Sequence, residues 1–242
     1  MFKKTLALAI LSGMSFAASA VTVDLRHEYI DSGSNADRVA VSHRFDNGLG
    51  FGVEAKWKTG GDTDKQDRPF NEIVGNGHEE SINWRWKATD NFALNPGFNI
   101  ESKDSFSIYK PYLHAQYSFD NGFYVAARYR YEYTRVPATS SNGGGVDDKV
   151  NKVDTWVGWA MGDWRAELNY VYARSTIADD QHKSLYRNNN KPYSTEYNAK
   201  LAYKWDKNWS PYFEVGNVGV KSTDERQTRL QIGRASCRER VS

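Results

Sequence analysis

The feature that most constrains this chain is a two-residue alternation of apolar and polar side chains, kept up over segments of about ten residues. From Phe123 to Tyr133, the residues Phe123, Val125, Ala127, Tyr129, Tyr131 and Tyr133 share one face. Tyr124, Ala126, Arg128, Arg130 and Glu132 share the other. The run from Tyr193 to Trp205 repeats the logic, setting Tyr193, Thr195, Tyr197, Ala199, Leu201, Tyr203 and Trp205 against Ser194, Glu196, Asn198, Lys200 and Lys204. Successive side chains of a strand point to opposite faces, so this pattern calls for strands with one apolar and one polar surface. A soluble sandwich alternates in the same way, so the connections must separate the two.

Five connections read as tight turns: Phe45–Gly48, Ala88–Asn91, Phe119–Gly122, Met161–Asp163 and Trp205–Asn208. Asn-Gly between alternating runs is a hairpin signal, because both residues tolerate positive φ. These turns alternate with longer polar connections near 32–36, 59–78, 102–108, 134–151, 174–192 and 219–225. Short turns on one rim and longer loops on the other are the pattern of an outer-membrane barrel. Six loops and five turns imply an all-β, 12-stranded antiparallel transmembrane β-barrel that starts and ends at the short-turn rim. Phe45, Trp86, Phe92, Phe119, Phe123, Trp159, Trp164, Trp205 and Trp209 sit beside the short turns. Their amphipathic rings suit the headgroup level of a bilayer. One strand carries Pro96, which removes a ladder hydrogen bond.

The two ends depart from this pattern. Residues 1–20 read as a signal peptide, with Lys3 and Lys4 ahead of an apolar stretch and Ala18-Ser19-Ala20 as the cleavage site. That stretch is far shorter than the roughly 20 residues of a membrane-spanning helix. The barrel is expected over 21–231. Residues 232–242 read as a sequencing-adapter translation that replaces the end of the last strand, with Ile232 fitting either side of the boundary. Setting both ends aside removes five basic residues and one acidic one, turning the formal charge of +2 into −2. Overall charge therefore makes no case for nucleic acid. The single cysteine, Cys237, goes with the tail, which excludes a disulfide framework and thiolate metal sites. No cofactor, metal or catalytic motif is expected.

With the apolar face turned outward, the inner face carries Arg26, Arg38, Arg44, Lys56, Lys58, Arg85, Lys87, Lys110, Arg128, Arg130, Lys152, Arg165, Lys200, Lys204 and Arg229. Facing them are Asp24, Glu28, Glu54, Glu101, Glu132, Asp154, Glu167, Glu196 and Glu214. A basic lumen concentrates anions, and arginine matches carboxylates with two parallel hydrogen bonds. The residues expected to line the path are Arg26, Arg38, Arg44, Lys56, Arg85, Lys110, Arg128, Arg130, Arg165, Lys200 and Arg229. Inward Tyr112, Tyr124, Trp156 and Tyr212 are candidates for stacking on sugar rings. The alternative is that Arg–Glu ladders fill and brace the interior. Eight strands enclose only side chains and about 16 leave a wide channel, so 12 suit a narrow pore.

Two stretches resemble a known family. Val23-Asp-Leu-Arg-His-Glu-Tyr29, followed by Asp37-Arg-Val-Ala-Val-Ser-His-Arg-Phe45, looks like the start of the oligogalacturonate-specific, KdgM-type porins. Arg128-Tyr-Arg-Tyr131, followed by Glu132 and Tyr133, resembles a second hallmark. The resemblance implies a monomeric barrel in the bacterial outer membrane that takes up acidic oligosaccharides from pectin breakdown. It also implies basic tracks on opposite walls, carried here by Arg26, Arg38, Arg44, Arg128 and Arg130. Relatives include a channel for sialic-acid sugars. The expected partners are acidic oligosaccharides, outer-membrane lipid, and the secretion and barrel-insertion machinery, with no nucleic acid. The chain lacks the aromatic C-terminal residue that the insertion machinery reads.

Two other classes compete. An outer-membrane lipase or deacylase would need a serine and a histidine oriented together, and His43 has no evident nucleophile beside it. His78-Glu79-Glu80 reads as a loop edge and makes a weak metal site, since strand neighbours point apart. A structural or adhesive barrel would instead work through its acidic loops.

Overall fold

The computed structural model describes residues 21–60, 68–137, 146–178, 187, 191–206, 208–220 and 223–237. The expected signal peptide lies outside them. Alternation becomes strand wherever it was read: β1 (Val21–Ile30), β2 (Asn35–Arg44), β3 (Leu49–Thr59), β4 (Ile73–Trp84), β5 (Trp86–Lys87), β6 (Phe92–Ser102), β7 (Ser107–Ser118), β8 (Phe123–Arg135), β9 (Asp148–Met161), β10 (Trp164–Ser175), β11 (Tyr193–Tyr203), β12 (Trp209–Gly219) and β13 (Arg226–Cys237).

Each strand pairs antiparallel with its neighbours in sequence, and β13 pairs β1 from Thr22↔Cys237 to Ile30↔Arg229, which closes the sheet. β4 and β5 both pair with β6 in one continuous register, Asn83↔Gly97 and then Trp86↔Leu94. They are two parts of one wall strand, so the barrel has twelve strands. Pro96 stands opposite the break, and without an N–H it cannot complete the ladder there. On the other side of the strand the Arg85 N–H donates to the Gly48 carbonyl at 2.9 Å, in register with the β3–β4 ladder. Pro111 has the same effect on β7–β8, whose pairing skips from Tyr109↔Tyr133 to Tyr112↔Arg130.

The short turns form as expected, with one difference in conformation. Gly48 and Gly122 donate to Phe45 and Phe119 three residues back, at 2.9 and 3.1 Å. Both glycines have positive φ, +88° and +86°. Asn47 and Asn121 keep negative φ and accept the Leu49 and Phe123 N–H through their side-chain carbonyls. These are type I turns closed by a left-handed glycine rather than two-residue primed turns.

The opposite rim is lower than expected. Ile30 and Gly33 hydrogen-bond across 30–34, and Lys103 donates to Phe106, so both connections are tight. The long connections that remain are 60–72, 136–147 and 176–192. At one of them the Tyr133 hydroxyl (2.5 Å) and the Val136 N–H donate to Asp147 and hold its carboxyl below its ordinary pKa. β13 runs six residues past the expected boundary at Gln231, pairing with both neighbours through Ser236.

The outer face carries the alternating large apolar residues, among them Leu25, Val41, Val53, Leu113, Val125, Val157, Leu168, Leu201 and Phe213, all exposed. Trp84, Trp86, Phe119, Phe123, Trp159, Trp164, Trp205 and Trp209 form the short-turn girdle, with Phe123 and Trp159 stacked at 5.2 Å. A second belt near the other rim is built of tyrosine pairs: Tyr109–Tyr133, Tyr170–Tyr197 and Tyr172–Tyr193. Between the belts lies the hydrocarbon band. Leu168→Arg, between the two belts, is expected to destabilise the barrel by about 2–4 kcal/mol. The inward Asn169→Arg should cost far less, as read by denaturant unfolding in lipid vesicles.

Candidate functional site: the charged lumen

Register places every expected lining residue on the inner face. Arg26, Arg38 and Lys56 are direct neighbours across β1, β2 and β3, and Lys110, Arg128, Arg130, Arg165, Lys200 and Arg229 lie on the same inner parity around the ring. Arg44 pairs with Gly50 at the end of β2. Arg85 continues the inward parity of Asn83 at the β4–β5 break. Glu79, expected at a loop edge, lies on β4 and faces inward opposite Glu54 and Glu101. Its alternation is hard to read because the outward Glu80 is also acidic. His78 and Glu80 point outward together, 3.5 Å apart, and among the described residues no cluster could hold a metal.

Side-chain geometry then sorts these cations into two groups. The first belongs to a ladder that winds around one wall. Asp24 and Glu54 pair with Arg38 at 2.9 and 3.0 Å. Lys56 reaches Glu54, Glu79 and Glu101 at 3.3, 3.4 and 3.0 Å. Lys110 lies 2.8 Å from Glu79 and also bonds Glu101, while Asn99 donates to Glu79 at 2.5 Å. On the other wall Arg128 pairs with Asp154 at 3.0 Å and Arg130 with Glu132 at 2.9 Å. Arg229 sits 3.5 Å from both Glu196 and Glu214 and 4.0 Å from Glu28. Most of these pairs join different strands, while Arg130–Glu132 and Lys56–Glu54 lie within β8 and β3.

The second group has no carboxylate within ion-pair distance among the described residues: Arg26, Arg44, Arg85, Lys87, Lys200 and Lys204, joined in the long-loop half by Lys58 and Lys152. Arg26 donates to Gln231 at 3.4 Å, and Arg44 to Asn83 and the Gly48 carbonyl at 2.7 and 2.8 Å. Position along the strands explains the division. Within about five residues of the short turns the inner face holds Arg44, Arg85, Lys87, Arg165, Lys200 and Lys204 against Asp24 and Glu167. Beyond that level Arg38, Lys56, Lys58, Lys110, Arg128, Arg130, Lys152 and Arg229 face an equal number of carboxylates: Glu28, Glu54, Glu79, Glu101, Glu132, Asp154, Glu196 and Glu214. Arg26 lies between. Glu214 stands opposite Lys200 at the boundary between the two levels, so the positive excess is concentrated in the short-turn half.

The inward tyrosines do not offer free faces. Tyr112, Tyr124 and Tyr212 stand directly opposite Gly97, Gly158 and Gly233, and each ring lies so close that a Cβ on its glycine would collide with it. A cation covers the other side of each ring: Arg128 on Tyr112 at 5.8 Å, Arg165 on Tyr124 at 4.6 Å and Lys200 on Tyr212 at 3.9 Å. Stacking on sugar, expected from the sequence, is blocked where glycine and cation take both faces. Trp156 is likewise occupied, by Arg128 at 5.4 Å and the edge of His114.

A closed sheet with a lipid-facing apolar band, two aromatic belts and a charged, side-chain-lined bore defines a membrane channel barrel. Comparison with known proteins narrows this. Residues 14–235 match the family model described as oligogalacturonate-specific porin protein (KdgM). The oligogalacturonate-specific porin KdgM of Dickeya dadantii is 38% identical over 237 residues, covering 95% of this chain and 97% of the relative. The uncharacterized protein YiiY of Salmonella typhimurium is 42% identical over 220 residues, 89% of each chain. A solved KdgM porin in complex with disordered oligogalacturonate superposes with a TM-score of 0.65 at 30% identity, over 89% of this chain and 98% of that one. The chain belongs to the KdgM porin family and is an outer-membrane channel protein, not an enzyme.

The Lys110 cluster has a direct consequence for stability. Lys110→Met leaves Glu79 and Glu101 facing each other with Lys56 as their one remaining shared cation. Removing one partner of a buried pair costs about 3–5 kcal/mol. Adding Glu101→Gln should return a large part of this loss, as measured by unfolding in detergent micelles.

Proposed function

We propose that this barrel passes acidic oligosaccharides, such as oligogalacturonates, through a narrow, basic, anion-selective pore, and that it acts as a monomer. The observation that carries the reading is the positive excess concentrated near the short turns. Cations without carboxylate partners face the bore near the short turns, where they raise the local concentration of anions. Twelve strands leave less room than the wide porins and more than a filled barrel, which suits an extended chain of sugar acids. The complex of the related KdgM porin with disordered oligogalacturonate supports the same substrate class. Guanidinium groups match uronate carboxylates in geometry as well as charge.

Planar-bilayer recording in a salt gradient tests this. The expected result is a reversal potential of anion-selective sign, shrinking as ionic strength rises toward 1 M because screening lengths fall to about 3 Å there. Trigalacturonate should interrupt the current. Arg128→Ser with Arg130→Ser should shift the reversal potential toward cations, since each change leaves a carboxylate uncompensated. Folded barrels with no conductance, or with cation preference, would overturn the reading.

A further inference from the structure

Within the short-turn half, a cavity of about 470 Å³ opens between β9, β10, β11 and β12. Arg165, Lys200, Lys204 and Tyr212 line it together with Asp24, Asp163 and Glu167. Two of these three carboxylates are already engaged: Asp24 accepts from Arg38, and Glu167 from Arg165 and the Tyr124 hydroxyl. Lys200 stands between two carboxylates in register, Glu167 on β10 and Glu214 on β12. It pairs with neither, and its ammonium lies over Tyr212 instead. The aromatic face holds the charge in place without neutralising it, because the attraction comes from the ring's quadrupole and leaves the N–H donors free.

The same device supports Arg165. Its guanidinium lies over Tyr124 and donates to the Tyr124 hydroxyl at 3.0 and 2.9 Å. Each ring in turn rests on a glycine of the next strand, Gly158 or Gly233, so it lies flat on the wall and leaves the cavity open. The third such stack is built alike: Arg128 lies over Tyr112 and is bonded to Asp154, as Arg165 is to Glu167, so of the three cations only Lys200 has no carboxylate partner among the described residues.

We propose that this cavity is a binding site for the carboxylate of a sugar acid, with Lys200 and Arg165 as its cationic ligands and with Tyr212 and Tyr124 as positioning residues. It rests on the anion-channel reading and adds a location: the permeant is held at the short-turn mouth rather than evenly along the bore. Lys204, at the cavity's outer edge, extends the same charge toward the rim.

Titration calorimetry of the folded barrel in detergent, with galacturonate as probe and galactose as its uncharged counterpart, tests the site. Galacturonate should bind and galactose should not. Lys200→Met should weaken binding about tenfold, the size expected from losing one hydrogen bond to a charged group. Tyr212→Leu should weaken it comparably, because Lys200 then turns to Glu167 or Glu214, while Tyr212→Phe, which keeps the ring, should retain wild-type affinity. Far-UV circular dichroism and heat-modifiable gel mobility establish that each variant is folded. Equal affinity in wild type, Lys200→Met and Tyr212→Leu would overturn the site. If bilayer recordings still showed anion selectivity in that case, the channel reading would stand without it. Loss of selectivity in the wild type itself would remove the ground beneath both.

Discussion

Everything in this molecule depends on the pairing of β1 with β13. In hydrocarbon no water is present to satisfy a free N–H or carbonyl, and each unmet group costs several kcal/mol. A sheet can meet that demand only by joining its first strand to its last, and here the join covers nine consecutive residue pairs. The prolines show how strict the demand is. Pro96 and Pro111 interrupt the ladder inside the wall, and each leaves a local break in pairing. Pro211 sits near the short-turn rim, below the last β11–β12 pair at Ala202↔Tyr212, where a missing donor matters less.

Once backbone closure is satisfied, side chains on the inner parity are free to carry charge, and their mutual arrangement decides what that charge does. Where a carboxylate stands within reach across a strand, it captures the cation and the pair braces the wall. Arg38, Lys56 and Lys110 spend their positive charge in this way. Near the short turns Lys200 and Lys204 have no carboxylate within ion-pair distance among the described residues, and Lys200 lies over the Tyr212 ring instead.

Much of this was legible before any coordinates. Alternation is local, so strand identity and inward parity followed from ten-residue windows, and the count of twelve followed from turn chemistry. Three kinds of information were not local. Connection length misled at 30–34 and 103–106, where polar sequence concealed tight hydrogen-bonded turns. Glu79 was missed because the outward Glu80 beside it broke the polar alternation. Pairing was unreadable in principle, since Arg229 meets Glu28 across the closure seam and Lys56 meets Glu101 across two strands. The role of the inward tyrosines depended likewise on glycines facing them from other strands, a relation set by register alone.

The two aromatic belts differ in chemistry, indole and phenyl rings at one rim and phenols at the other. Such belts settle at the headgroup level, so together they fix how deep the barrel sits and resist its sliding along the membrane normal. The depth at which the ion-pair ladder and the Lys200–Tyr212 stack lie in the bilayer is therefore set by rings on the outside of the wall, not by the charges within it.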